Sequence, residues 1–135
     1  MDCIFCNIIK GTIFARKIME TKKSLAFLDG FPLTKGHTLV IPKNHYTKLQ
    51  QMSNEDNVDL FETVRTLTDR IESLFSSSLI AVHNGKESGQ EVPHVHVHII
   101  PRTVADGAGP VHGMFRKRPQ LTNDELDQIA EKIRE

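Results

Sequence analysis

Residues 94–100 read His94-Val95-His96-Val97-His98-Ile99-Ile100, so that three imidazoles alternate with apolar β-branched side chains. Valine and isoleucine favour strands, and successive side chains along a strand point to opposite faces of a sheet. The pattern therefore predicts a strand over His94–Ile100 that buries its valines and places the histidines on the other face. A merely solvated face would mix Lys, Glu, Thr and Ser. Because histidine can attack, relay a proton or bind a metal near neutral pH, the row predicts a functional site.

The spacing of the row limits what it can bind. Residues on one face of a strand repeat every ~6.7 Å, which places the Cα atoms of His94 and His98 ~13 Å apart. A zinc–nitrogen bond is only ~2.0–2.1 Å long. One ion could take two adjacent histidines, but hardly all three without a bend in the strand. We therefore interpret the central His96 as the reactive group and not the row as a three-histidine metal cage.

Length and composition set the class of protein. The chain has 135 residues, 39% of them hydrophobic, which is typical of a single globular domain over residues 1–135. Its 17 basic and 17 acidic residues cancel, which argues against binding a nucleic acid polymer but allows a small anionic ligand. No apolar run reaches ~18 residues and no secretory signal is visible, so we expect no membrane contact and a cytoplasmic location, with the nucleus as the alternative. Cys3 and Cys6 are then expected to be reduced thiols or metal ligands.

The middle of the chain predicts strands and a long helix. We expect strands at Ser24–Asp29, His37–Ile41 and Leu79–Val82 from their apolar and β-branched content and the turn residues nearby. A helix is expected over Ser53–Phe75, capped by Ser53 or Asn54. Its apolar residues recur at helical spacing and are expected to face the core: Leu60, Phe61, Val64, Leu67, Ile71, Leu74 and Phe75.

The C-terminal part predicts a loop and then a second helix. Residues 103–120 are rich in Gly, Pro and basic residues and are expected to form the loop. Thr122-Asn123-Asp124-Glu125 has the form of a capping box, which predicts a helix over residues 122–134. With a short helix inside residues 1–10, the chain predicts an α+β domain with an antiparallel sheet. The buried side of the terminal helix is expected to consist of Leu126, Ile129, Ala130 and Ile133.

Several segments together resemble one protein family. The stretch His94–Ile100 resembles the His-φ-His-φ-His-φ-φ motif (φ, apolar) of the histidine triad, or HIT, family. The resemblance is strongest to the histidine triad nucleotide-binding proteins, which hydrolyse nucleoside phosphoramidates. It implies a five-stranded antiparallel sheet with flanking helices, and a homodimer that joins two sheets. The other family signatures span, with the triad, residues 3–102 and occur in the family's order: Cys3–Cys6, Ala26–Asp29, Gly36–Lys43 and Gly89–Val92.

The resemblance implies roles for three histidines. His96 occupies the position of the family's nucleophile, where an imidazole nitrogen would attack phosphorus and form a nucleotidyl-histidine intermediate that water then hydrolyses. His98 and His37 occupy positions that line the phosphate. There they can donate hydrogen bonds to its oxygens and shuttle the leaving-group proton. The implied substrate is a purine nucleoside monophosphate whose phosphorus carries a leaving group such as an amine.

A set of nucleotide contacts follows from the same resemblance. The carboxylate of Asp29 would accept hydrogen bonds from the ribose hydroxyls. Ile8, Phe27 and Leu28 would line the pocket for the base. The segment Gly89–Val92 would approach the phosphate with its backbone N–H groups, since glycine allows a close approach.

Individual side chains near the phosphate depart from the family or add to it. The amide of Gln90 is expected to supply a further donor, whereas the carboxylate of Glu91 would repel phosphate, so only its backbone is expected to contribute. Val92 completes this segment. His83 stands where the family commonly has asparagine or glutamine, and Asn84 is the alternative phosphate contact if the turn shifts.

A second site is implied at the N-terminus. Some family members hold zinc with two cysteines, a histidine after the Pro-Lys element and the first triad histidine. The matching residues are Cys3, Cys6, His45 and His94, and two thiolates with two imidazoles suit a closed, structural zinc site. The alternative is a pair of reduced cysteines with His45 on the surface, where His112 is also expected. Neither a redox cofactor nor a catalytic metal is expected.

The sequence leaves four functions to compare. The first is a hydrolase of nucleoside phosphoramidates, and a close variant of it prefers dinucleoside polyphosphates. The third is a nucleotide-binding adaptor with vestigial catalysis, and the fourth is a metal-dependent hydrolase that uses two of the triad histidines. The complete row His94, His96 and His98, together with His37, favours an active enzyme over an adaptor.

Overall fold

A single five-stranded antiparallel sheet organises the protein, as a computed structural model shows for residues 2–135. Met1, which the domain prediction includes, lies outside the described residues. The sheet order is β1-β2-β3-β5-β4. This arrangement confirms the predicted α+β fold. The strands are β1 Lys17–Glu20, β2 Ser24–Leu28, β3 Thr38–Pro42, β4 Ser77–Ala81 and β5 Val97–Arg102, and the helices are α1 Ile4–Lys10, α2 Asn54–Leu74 and α3 Asn123–Arg134.

The long helix α2 covers one face of the sheet. Its N-cap is Ser53, whose hydroxyl accepts a hydrogen bond from the Asp56 backbone N–H at 3.2 Å. Burying each large aliphatic side chain contributes ~1.5–3 kcal/mol, so this interface is a main source of stability. Two residues of the predicted apolar stripe are nevertheless exposed, Phe61 at 39% and Leu74 at 79%, because one lies at the side of the helix and the other at its end. The remaining stripe packs on the valines of the histidine row in one buried cluster: Leu60, Val64, Leu67, Ile71, Val95, Val97 and Ile99.

The short helix α1 covers part of the opposite face. Phe5 and Ile8 of α1 belong to a second buried cluster with side chains of β2 and β3. The ring of Phe5 lies 5.8 Å from that of His94 and 5.0 Å from that of His96, measured between centroids. The imidazoles therefore lie on the α1 side and the valines on the α2 side, as the alternation in the sequence predicts.

The strand expected over the whole histidine row is shorter than predicted. β5 begins at Val97, so only His98 of the row lies within it. The backbone N–H of His94 bonds to Val92 O at 2.8 Å, and that of Val95 bonds to Tyr46 O at 2.7 Å. These groups bond outside the sheet, and the chain bends at His94. Because of this bend, His94 does not have the spacing from His96 and His98 that a straight strand would impose.

The terminal helix α3 forms where it was expected but does not bury its apolar side. Thr122 Oγ1 accepts from the Glu125 N–H and the Glu125 carboxylate accepts from the Thr122 N–H, both at 3.2 Å, which confirms the capping box. Leu126, Ile129 and Ile133 are 49%, 45% and 80% exposed, so the predicted burial is wrong for these residues. The segment before the helix is also largely exposed. Within residues 2–135, the capping box stabilises the start of α3.

The strand ends differ slightly from the predicted ones. β4 covers Ser77–Ala81, whereas Leu79–Val82 was expected. β1 has no counterpart in the sequence patterns and was expected from the family resemblance alone. Within residues 2–135, no helix combines the length and the apolar character that a bilayer crossing requires.

Candidate active site and metal site

A cavity of about 520 Å³ opens on the α1 face of the sheet. That volume lies in the range of small-molecule sites. One part of its wall is apolar and includes Ile8 and Phe27. Another part carries four imidazoles, which the loops and strand ends bring together: His37, His83, His96 and His98.

The ring of His96 is held in one tautomer. Its Nδ1 lies 2.7 Å from the backbone oxygen of His94, an acceptor, so Nδ1 carries the proton and Nε2 keeps its lone pair. The side chain is buried, and its ring packs 5.0 Å from Phe5 and 5.0 Å from His98 between centroids. Burial lowers the pKa of His96 below its ordinary value, although the bond to the His94 carbonyl opposes this shift. The imidazole is therefore neutral at neutral pH and has a free nucleophilic nitrogen.

A chain of hydrogen bonds fixes two further imidazoles. The Leu33 backbone N–H donates to His37 Nδ1 at 3.0 Å, so the proton of His37 lies on Nε2. That Nε2–H faces His98 Nδ1 at 3.0 Å, which places the proton of His98 on its own Nε2. His98 Nε2 is buried and has no hydrogen-bond partner among residues 2–135. An unpaired buried donor costs ~1–3 kcal/mol, so a ligand acceptor there would relieve the cost.

The same burial keeps these two rings uncharged. Burial, together with a smaller effect of the neighbouring imidazoles, lowers the pKa of His98 to about 4. Burial also lowers the pKa of His37, against the opposing effect of the Asp29 carboxylate. Asp29 Oδ2 lies 3.6 Å from His37 Nε2, and Asp29 Oδ1 accepts from the Phe31 N–H at 2.9 Å. Ligand atoms of Asp29, His37 and His98 lie within 4.8 Å of one another, but a metal there would have to replace the bond between the two histidines.

Most of the predicted nucleotide contacts line this cavity. Gly89 is at a positive φ of 107°, and a Cβ on it would lie 3.3 Å from the His83 ring, so only glycine fits without displacement. The carboxylate-bearing Glu91 is exposed at the rim. The predicted residues that line the cavity besides the four histidines are Ile8, Phe27, Leu28, Asp29, Gly89, Glu91 and Val92.

Two predicted contacts lie outside the cavity and hold its loop instead. Gln90 Oε1 accepts from the Gly85 N–H and Gln90 Nε2 donates to Thr47 O, both at 2.8 Å. Both ends of this amide are therefore already paired. The Asn84 side chain accepts from the Leu49 N–H at 2.9 Å, on the side away from the imidazoles. These residues position the segment that carries His83 and Gly89.

The cavity rim contains side chains that sequence reasoning missed. Phe14, Phe31 and Leu33 line the opening and are 77%, 93% and 72% exposed. The Arg16 guanidinium carbon lies 5.2 Å from the centre of the Phe14 ring. These residues belong to no family signature and to no periodic pattern. Their shared location is visible only in three dimensions.

The second predicted site is assembled next to the first. Ligand atoms of Cys3, Cys6, His45 and His94 all lie within 4.8 Å of one another. A Cys-x-x-Cys spacing at the start of α1 places both thiols on one side of the helix. His94 Nε2 lies 2.9 Å from Pro42 O and carries the proton, so its Nδ1 lone pair faces the thiols. Burial lowers the pKa of His94 to about 4, which keeps this lone pair available.

The distances in this cluster suit a tetrahedral metal ion. Ligands at ~2.0–2.3 Å from zinc lie roughly 3.3–3.8 Å from one another. His94 Nδ1 is 3.5 Å from Cys3 Sγ, 3.6 Å from Cys6 Sγ and 3.1 Å from His45 Nδ1. His45 Nδ1 is 3.4 Å from Cys6 Sγ. Two thiols and two neutral imidazoles at these distances fit zinc, and four protein ligands leave no open position.

The fold and the two sites define a histidine triad protein. The chain belongs to the HIT family: the family's sequence model, described as HIT domain, matches residues 10–104. The resemblance deduced from the motifs is thereby confirmed. The chain is 45% identical over 135 residues to adenosine 5'-monophosphoramidase of Schizosaccharomyces pombe, and the match covers 99% of this chain and 100% of that one.

Solved structures show the same fold. A crystal structure of a HIT family member from Bacillus subtilis matches with a TM-score of 0.88 and 36% identity, covering 99% of this chain and 96% of that chain. A zinc-bound histidine triad family protein from Mycobacterium smegmatis matches with a TM-score of 0.75 and 30% identity, covering 98% of each chain.

Proposed function

We propose that the protein is a nucleotide hydrolase that cleaves nucleoside phosphoramidates of the AMP-amine type through a nucleotidyl intermediate on His96. The tautomer of His96 carries this proposal, because its Nδ1–H bond to His94 O at 2.7 Å leaves Nε2 unprotonated in a residue that lines the cavity. A neutral imidazole held in this way is a competent nucleophile. The activity for which the fission-yeast relative is named supports the choice of substrate.

The nucleotide would lie along the cavity with its base on the apolar wall. Ile8, Phe27 and Leu28 line that wall and would contact the base. Asp29 Oδ2 lies 3.6 Å from Nε2 of the neutral His37, and the Asp29 carboxylate would accept hydrogen bonds from the ribose hydroxyls. The backbone of Gly89, Glu91 and Val92 would approach the phosphate.

The His98–His37 pair would bind the phosphate oxygens. His98 Nε2–H is the unpaired donor, and a phosphate oxygen would be its acceptor. His37 keeps that proton in place by donating to His98 Nδ1 at 3.0 Å. A donor fixed before the substrate arrives stabilises charge that develops in the transition state without rearrangement.

The reaction would proceed in two displacements at phosphorus. His96 Nε2 forms a bond to phosphorus while the bond to the leaving nitrogen breaks. Water then attacks the same phosphorus, releases the nucleoside monophosphate and restores neutral His96. Division into two steps lets a preorganised imidazole replace water as the first nucleophile.

The Cys3/Cys6/His45/His94 cluster would hold a structural zinc ion. When bound, zinc would join α1 to the end of β3 and to the histidine row. Since His94 O also fixes the His96 ring, this site would stabilise the orientation of the nucleophile. The zinc-bound mycobacterial neighbour supports this part of the proposal.

The proposed protein is a single domain of residues 1–135 that acts as a homodimer in the cytoplasm, with the nucleus as the alternative compartment. An apolar side of α3 that is exposed in the chain supports a second copy as its partner. Strand β4 lies at one end of the sheet and pairs only with β5 among the described residues, so its outer edge is open. An open edge and an unpaired apolar helix side are features that association covers.

A rapid-quench experiment with adenosine-labelled AMP-amine tests the proposal. We expect acid-labile label on the wild-type protein and none on His96→Ala, whose turnover should fall by about 10³-fold or more. Nucleotide affinity should stay within about tenfold, because a nucleophile acts mainly in the transition state. His112→Ala, a change of an exposed loop histidine, serves as the matched control.

Each alternative predicts another result in the same assay. Undiminished turnover by His96→Ala would contradict the assignment of the nucleophile. Nucleotide binding without any turnover by the wild type would favour an adaptor. Loss of turnover on treatment with a chelator, with the fold retained, would favour a metal-dependent hydrolase. Faster cleavage of a dinucleoside polyphosphate would change the substrate class and leave the mechanism intact.

A further inference from the structure

His83 is the one imidazole of the cavity that the mechanism above does not use. It follows β4 in the chain and is half-buried. Its ring packs edge-on against that of His98 at 5.4 Å between centroids. Its other close neighbour is Gly89. No hydrogen bond among residues 2–135 engages either of its ring nitrogens, in contrast to His37, His96 and His98.

The proposed reaction needs a proton that the other imidazoles are badly placed to give. An amine leaves phosphorus as a neutral molecule only if its nitrogen receives a proton. His98 is neutral and has one proton, on Nε2, which is directed to a phosphate oxygen. Giving that proton away would leave an imidazolate, which is unfavourable in a buried position. His37 has its single proton engaged with His98.

We propose that His83 is the general acid that protonates the departing nitrogen in the first displacement. This inference rests on the proposed function, since it assigns a residue to that reaction. Histidine is the side chain that most readily exchanges a proton near neutral pH. The ring lines the same cavity as His96 and His98 and lies 5.4 Å from the His98 ring between centroids, so it can reach a substrate bound there.

The proton and electron count closes over the two steps. In the first step the phosphorus–nitrogen bond breaks, and the departing nitrogen keeps its electron pair and takes one proton from His83, which acts as the imidazolium and becomes a neutral imidazole. In the second step water oxygen bonds to phosphorus while the bond to His96 Nε2 breaks and returns its pair to that nitrogen. A proton of the water goes to His83, so the sum is phosphoramidate and water giving amine and nucleoside monophosphate.

Charged and titratable groups from several elements line the same cavity as His83. The histidine row and β5 contribute His96 and His98, and the loop before the row contributes Glu91. The segment from β2 to β3 contributes Asp29 and His37.

The test compares two leaving groups in single-turnover experiments. His83→Asn keeps a polar side chain but removes the exchangeable proton. For adenosine 5'-phosphoramidates of an alkylamine, we expect leaving-group release by His83→Asn to be about 10²-fold slower than in the wild type. For the 4-nitrophenyl ester of AMP, whose leaving group needs no proton, the two rates should stay within about threefold. His112→Asn, in the exposed loop, should match the wild type with both substrates.

The pH profile gives a second readout. Wild-type release of the alkylamine should slow as the pH rises, because a general acid acts only while it carries its proton, and His83→Asn should lack this decline. Equal slowing of both substrates would assign His83 a merely structural role and overturn the inference. An unchanged alkylamine rate in His83→Asn would overturn it as well. Either result leaves the proposed function in place as long as His96→Ala abolishes release, whereas release that is independent of His96 overturns both.

Discussion

Two histidine clusters meet at residues 94–96. His94 of one and His96 of the other keep their lone pairs on different ring nitrogens. The first cluster, the candidate metal site, consists of Cys3, Cys6, His45 and His94. In it His94 donates Nε2–H to Pro42 O and directs its Nδ1 lone pair toward two thiols. Two residues further on, His96 donates Nδ1–H to His94 O and keeps its lone pair on Nε2. Both acceptors are backbone carbonyls. The fold thus determines which ring nitrogen of each imidazole carries the proton and which keeps its lone pair.

The clusters also differ in how completely their polar atoms are paired. The Cys3/Cys6/His45/His94 cluster brings four possible ligand atoms within 4.8 Å of one another, so a tetrahedral ion there would have only protein ligands. The cavity cluster spreads its rings along a wall and keeps a buried donor of His98 unpaired. A closed set of ligands is typical of a structural site, and an incompletely paired set is typical of a site that awaits a ligand.

Removal of a metal ligand should produce the largest effect on stability. We expect Cys6→Ser or His45→Ala to lower zinc affinity by at least about 10²-fold and Tm by roughly 10 °C or more, because α1 would lose its attachment to the histidine row. Zinc content by elemental analysis and Tm with and without chelator provide the measurement. His112→Ala is the control for His45→Ala. Full zinc loading in both cysteine and histidine variants would show that the cluster is not the metal site.

Interruption of the chain of hydrogen bonds from Leu33 through His37 to His98 should affect catalysis more than stability. His37→Ala removes the donor that fixes the His98 proton, and we expect kcat to fall by about 10²-fold with a smaller change in KM. His37→Gln retains an N–H donor and should recover part of the loss. Steady-state kinetics of both variants, with Tm as the check on folding, measure this. If His37→Ala matched the wild type in kcat, the chain of hydrogen bonds would have no role in the reaction.

The pH dependence of stability should show a smaller effect. His98 stays neutral in the folded protein until its pKa of about 4 is reached. An imidazole in the unfolded chain takes up a proton below ~6.5. Between these values the unfolded state binds more protons, so the free energy of unfolding should decrease as the pH falls from ~6.5 to ~4 and then level off for this group.

Replacement of His98 isolates its share of that decrease. His98→Asn cannot titrate but can still accept a hydrogen bond from His37. Its stability loss over the same pH window should be smaller than that of the wild type by roughly 1–3 kcal/mol. Urea unfolding at several pH values measures the difference, with His112→Asn as the control. An identical slope in His98→Asn and wild type would mean that this ring takes up its proton equally in both states.

The fold was largely predictable because its main signals are local. The alternation of Val95 and Val97 with the histidines determines which face is buried, and the helical spacing in α2 determines what covers it. The capping box at Thr122 depends on four consecutive residues and is confirmed. By contrast, the bend at His94 arises from a bond between Val95 N–H and Tyr46 O, which lie far apart in the sequence.

The motifs predicted which residues belong to the candidate site, but not how their side chains are oriented. Residue type and spacing indicated His96, and the family resemblance indicated His98, yet the sequence could not specify which ring nitrogen each hydrogen-bond partner occupies. Gln90 matches a phosphate donor by type, although its amide is paired with Gly85 and Thr47. The exposed Phe14 and Phe31 became neighbours of the cavity only through loop conformation. The His98 ring and the Gln90 amide are positioned by contacts between residues far apart in the sequence. No local sequence pattern encodes such contacts.

The independence of α3 from the sheet has a consequence for proteolysis. Residues 103–121 are largely exposed, and most of the helix that follows is exposed too. A protease that cuts this connection would release the tail while both histidine clusters, which lie within residues 3–98, kept all their described contacts. Such trimming would separate whatever the tail does from hydrolysis, so the two could be regulated independently.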